Sequence, residues 1–84
     1  MIINGAYIDD ERYKNIVKNI QASFRAKTEK TAEAYMDKVM TTIEQLVKEY
    51  SIDHDEETAR RMAEYVINAA MTDAENGSLP PESE

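Results

Sequence analysis

The chain has no cysteine, no tryptophan and one histidine, with only two glycines and two prolines among 84 residues. Each scarcity removes a class of structure or chemistry. Without cysteine there are no disulfides and no thiolate zinc sites, and a cytoplasmic setting is allowed. Phosphate-binding loops need grouped glycines so that backbone N–H groups can approach the ligand. Gly5 and Gly77 stand alone, which excludes Walker and dinucleotide sites. The one histidine, His54, lies in Asp53-His54-Asp55-Glu56-Glu57 and reads as an exposed residue at a helix start. No serine or cysteine nucleophile can be assembled around it.

Long apolar runs are missing too. No stretch approaches the ~20 residues of a membrane span. Met1–Asp10 lacks the basic, apolar and small-residue segments of a secretory signal. The acids around His54 resemble a metal site in composition only. An EF-hand loop requires a glycine at its sixth position, and helical di-metal sites require Glu-x-x-His pairs. Neither is present. The expectation is a soluble, cytoplasmic, non-enzymatic protein with no metal, no cofactor and no membrane association.

What the chain has in quantity is charge. The formal net charge is −7, with 32% of residues charged. The balance is uneven along the sequence. Residues 1–52 hold eight acids and eight bases, whereas residues 53–84 hold nine acids and only Arg60 and Arg61 as bases. The whole excess falls on the third predicted helix and the tail. Phosphates repel so acidic a chain, and basic proteins attract it.

The fold class is all-α, a small three-helix bundle with a short N-terminal arm. Nothing between Ala6 and Asn76 is a strong helix breaker. Asn4-Gly5 between apolar residues signals a type I′ hairpin. Arms this short make an extended segment over 1–8 the favoured reading. A first helix is expected over about 10–27, capped by Asp9, with Ile8 and Tyr13 as a hydrophobic staple. Tyr13, Ile16, Val17, Ile20 and Phe24 form its apolar face. The apolar phase shifts between Arg25 and Thr31, and a turn there, with Thr28 as a new cap, is favoured over a continuous rod.

A second helix over 29–50 carries Ala32, Met36, Val39, Ile43, Leu46 and Tyr50 at heptad spacing. Its wide apolar face marks it as the expected centre of the bundle. A third helix over 54–75, capped by Asp53, carries the small-residue stripe Ala59, Ala63, Val66, Ala70 and Ala74. Asn76-Gly77 ends it, and 78–84 reads as a disordered acidic tail. A bundle this small sits near the margin of stability, so a homodimer is expected.

Three binding surfaces follow. The first is acidic: Asp55, Glu56, Glu57, Glu64, Asp73 and Glu75, with Tyr65 and Arg61 as an anchor pair, facing a basic protein partner. The second is the basic face of the first helix, Lys14, Lys18 and Arg25, as an alternative nucleic-acid site or a subunit-interface site for a small anion. The third is methionine-rich: Met36, Met40, Met62 and Met71 fit core spacing, with a plastic groove as the alternative. In size and charge the chain resembles the small acidic helical proteins that phages and mobile elements direct against host enzymes. That resemblance implies an inhibitor or a DNA mimic.

Overall fold

The computed structural model describes residues 1–77, and the tail expected over 78–84 lies outside them. Two short strands, β1 (Ile2–Ile3) and β2 (Ala6–Tyr7), precede three helices, α1 (Asp10–Arg25), α2 (Glu29–Tyr50) and α3 (Glu56–Asn76). The class is the expected one, a small helical bundle with an N-terminal arm. The arm is a hairpin rather than an extended segment. Ile2 pairs with Tyr7 and Ile3 with Ala6, leaving a two-residue loop. Asn4 and Gly5 both take positive φ, 48° and 86°, as a type I′ turn demands. The hairpin persists because it is not isolated. Ala6 and Ile8 are fully buried under it, and the Tyr50 hydroxyl donates to the Tyr7 carbonyl at 2.7 Å.

Each helix begins at a side-chain cap. Asp9 accepts from the Arg12 amide at 3.1 Å, and Ile8 and Tyr13 are buried beside it, completing the staple. α1 stops at Arg25, two residues short of expectation, because Ala26 turns extended and Thr28 caps the next helix. The Thr28 hydroxyl accepts from the Thr31 amide at 3.1 Å. The segment between has no large apolar side chain to bury, so nothing opposes the turn.

α3 also starts later than the sequence suggests, and its cap is Asp55, not Asp53. The chain leaving α2 keeps folding back on it. The amides of Asp53 and His54 both donate to the Tyr50 carbonyl. These two residues finish one helix, so the next acid begins the other. At the far end Gly77 takes the left-handed conformation at φ 71° and closes α3.

The start of α1 meets the last turns of both other helices. The Arg12 guanidinium donates to both Glu49 carboxylate oxygens, at 2.8 and 3.0 Å. The Tyr13 hydroxyl donates to Asp73. From Glu56 to Asp73, α3 advances about 26 Å. Helices joined by the tight turn 51–55 cannot lie side by side and also bring their C-terminal ends to one place. α3 therefore crosses the α1–α2 pair obliquely. Its stripe Ala59, Ala63, Val66, Ala70 and Ala74 is wholly buried at that crossing, where small side chains let helix axes approach.

α2 meets both other helices, as expected of a central helix, and α3 shares that place, packing against α1, α2 and both strands. α3 buries six residues, and α2 buries only Val39, Leu46 and Tyr50. Nothing from Glu29 to Lys38 is fully buried. Phe24, expected on the core face of α1, is 54% exposed because it lies at that uncovered end.

Candidate acidic interface

The third helix separates its acids by role. Asp55 is the cap, accepting from the Thr58 amide at 3.2 Å; hydrogen bonding to Thr58, its side chain foremost and then its amide, holds the Asp55 carboxyl below the usual range. Asp73, unlike the exposed Asp55, is drawn off the outer surface. It is half-buried and accepts from the Tyr13 hydroxyl. Burial, with the Asp73 carboxylate as a second cause, pushes the Tyr13 phenol well above its ordinary value. Asp73 is thus a packing residue, contrary to the sequence expectation. Glu56 is exposed but engaged, at 2.7 Å from the Arg60 guanidinium one turn on.

Glu57, Glu64 and Glu75 form the outer ridge. They are separated by seven and eleven residues, which return a helix to nearly one direction, and all three are exposed. Arg61 lies one turn from Glu57 at 3.9 Å, a loose exposed pair. Glu64 and Glu75 have no ion pair among the described residues.

Tyr65 and Arg61 come together on the flank of this ridge, where Arg61 also meets Glu57. Tyr65 is half-buried and lines a shallow cleft of ≈270 Å³ with Arg61, His54, Thr58, Met62 and the hairpin tip Asn4–Gly5. His54 is exposed in the turn before α3, with Nδ1 3.1 Å from the Tyr50 carbonyl. The anchor pair therefore lines the groove between α3 and the hairpin, with Arg61 at its border with the acidic ridge.

The alternative basic face is present on α1. Lys14, Lys18 and Arg25 share one side of the helix; Lys18 and Arg25 are exposed and Lys14 is half-buried. The four methionines divide. Met62 is core and Met36 is half-buried, whereas Met40 is 52% exposed and Met71 37% exposed. Among the described residues no group of three or more His, Asp or Glu could hold a metal ion, and no helix is long and apolar enough to cross a membrane. No family model, curated protein or solved structure matches the chain.

Neither the Arg12–Glu49 clasp nor the uncovered half of α2 follows from the sequence pattern. Arg12 carried a signal, since an arginine three residues after an aspartate cap can reach that cap. Its Nε donates to Asp9 at 2.6 Å. Glu49 carried none, being 37 residues away.

Proposed function

We propose that this chain is a non-enzymatic regulator that binds a basic, nucleic-acid-binding protein through the acidic ridge of α3. The observation that carries the reading is the exposed line Glu57, Glu64 and Glu75, set in the part of the chain that holds the whole charge excess. Such a surface raises the encounter rate with a cationic partner and repels nucleic acid.

Magnitude limits the phosphate-mimic form of this reading. Three carboxylates over about 27 Å of helix are sparse beside duplex DNA, which carries a charge every ~1.7 Å. The ridge steers and docks the partner; it does not copy a phosphate backbone.

The test is affinity capture at two salt concentrations with the unmodified chain and with Glu57→Lys, Glu64→Lys and Glu75→Lys combined. A specific basic partner should be retained at low salt, released as salt rises, and lost in the variant. Capture that survives all three reversals would remove the ridge from the function. The exposed cations Lys18 and Arg25 support the competing reading of direct nucleic-acid binding. DNA or RNA retained at ~50 mM salt, and lost on Lys18→Glu, would establish that reading instead.

A further inference from the structure

Beside the ridge lies a surface where apolar and acidic groups run together. At the α2–α3 turn, Glu44, Val47 and Lys48 of α2 face Glu56 and Arg60 of α3 across a cleft of ≈580 Å³. Steps of seven and eleven residues keep to one side of a helix. The α2 wall therefore continues from Val47 to Met40 and Met36, with Ile43 beside them. The α3 wall continues from Arg60 to Ile67 and Met71. Since α3 diverges from α2, the cleft opens and these walls lose their cover. Met36, Ile43 and Ile67 are half-buried, and Met40 and Met71 are exposed.

Acids border the strip on its outer side. Glu33, Asp37 and Glu44 lie on the same flank of α2, and Glu64 lies beside Met71 on α3. All four are exposed, and none has an ion pair among the described residues. Of the cations nearby, Arg60 is already held by Glu56 at 2.7 Å.

We propose that this strip seats a basic amphipathic helix of the partner protein. The apolar face of that helix would rest on Met36, Met40, Ile43 and Met71, and its cationic flank on Glu33, Asp37 and Glu44. The inference rests on the basic-partner reading and names the element that is recognised. From Met36 to Val47 the strip is about 16 Å long, three turns of a facing helix. Unbranched methionine side chains adapt to a helix surface, and an apolar stripe between charges is what an amphipathic helix reads. A second copy of this chain is a poorer occupant, because an antiparallel two-fold contact would set the acidic border against its own image and a parallel one would leave it without cations to meet.

The probe is a labelled leucine–lysine peptide of about four helical turns, beside a peptide of the same composition broken by two central prolines. Fluorescence anisotropy at low salt reads binding, and circular dichroism checks that each variant is folded. The intact chain should bind the helical peptide at least about 10-fold tighter than the broken one. Met40→Glu with Met71→Glu should weaken the helical peptide about 10-fold although it adds negative charge. Equal binding of both peptides, or binding unchanged or strengthened by the methionine changes, would overturn the seat and leave the basic-partner reading standing. Binding of neither peptide would overturn both. A dimer in light scattering that Met40→Glu dissociates would assign the strip to a second copy and overturn the proposal.

Discussion

The two ends of α2 share a composition but not a fate. Toward its C-terminus, Leu46 and Tyr50 are enclosed by α1, α3 and the hairpin; toward its N-terminus, Ala32 and Met36 keep the same seam yet remain partly open. The difference teaches that a heptad pattern marks which side of a helix is apolar, not how far a neighbour covers it. Cover here is set by the oblique crossing of α3. The sharpest way to break the comparison is to truncate one side chain at each place. Leu46→Ala opens a cavity in a site with no exposure, and should cost about 3 kcal/mol. Met40→Ala, on the open strip, should change stability by less than about 0.5 kcal/mol. Urea unfolding followed by circular dichroism measures both. Similar losses at the two sites would mean that the distal half of α2 is as well packed as the base of the bundle, where the start of α1 meets the last turns of α2 and α3.

The crossing itself gives the next contrast. Ala70 is fully buried where α3 lies close to its neighbours, whereas Ala34 is exposed on the uncovered half of α2. Ala70→Leu forces extra volume into the contact and should destabilise by about 2 kcal/mol. Ala34→Leu adds the same volume into open space and should fall within about 0.5 kcal/mol of the parent. A tolerated leucine at position 70 would show that the helices can separate without loss, and the small-residue stripe would then have no packing role.

What was legible in the sequence follows the range of the interaction that decides it. The turn at Asn4-Gly5, the caps Asp9 and Thr28 and the closure at Gly77 depend on atoms a few residues apart, and each could be read locally. The choice between Asp53 and Asp55 depended on how far α2 would keep winding, which local residue types left open. Met40 and Met62 look alike in sequence, yet one is exposed and the other core. Only the position of α3 separates them. Asp73 looked like part of the acidic surface because its partner, Tyr13, is 60 residues distant. For the candidate interface, the acids of the ridge were legible, but its boundaries were not, since capping and tertiary bonds removed members from it.

The Tyr13–Asp73 bond offers a pH-dependent probe of the base. Burial foremost, and then Asp73, raise the phenol above its ordinary value. A folded-state value raised in this way contributes stability that is fully present below the unfolded value of about 10. That contribution falls away as pH rises beyond it, because the unfolded chain ionises first. Tyr13→Phe should cost about 1–2 kcal/mol at neutral pH through the lost bond and the deprived carboxylate. It should also flatten the alkaline limb of the stability profile. An unchanged slope above pH ~10 would assign that limb to other groups, Tyr50 among them, whose phenol is also raised by burial.

The smallest expected effect tests whether charge helps to hold the base at all. Arg12 joins the α1 cap to the last turn of α2 through Asp9 and both oxygens of Glu49. The side chains are 29% and 50% exposed for Arg12 and Glu49, so water screens much of the attraction. Arg12→Ala should therefore cost only about 0.5–1 kcal/mol. The Arg12 side chain is also the main cause that holds the Asp9 carboxyl below its ordinary value. A depressed value of this kind contributes stability present above the unfolded value of about 3.9 and lost as pH falls below it. Removing Arg12 should thus weaken the fall in stability at acid pH as well. Lysine lacks the planar fork that spans two oxygens and should not restore the loss. A double-mutant cycle with Glu49→Ala decides the matter. A coupling near zero would show that Glu49 and the arginine merely coexist at the surface, and that the base is held without this clasp by Tyr13, Leu46 and Tyr50.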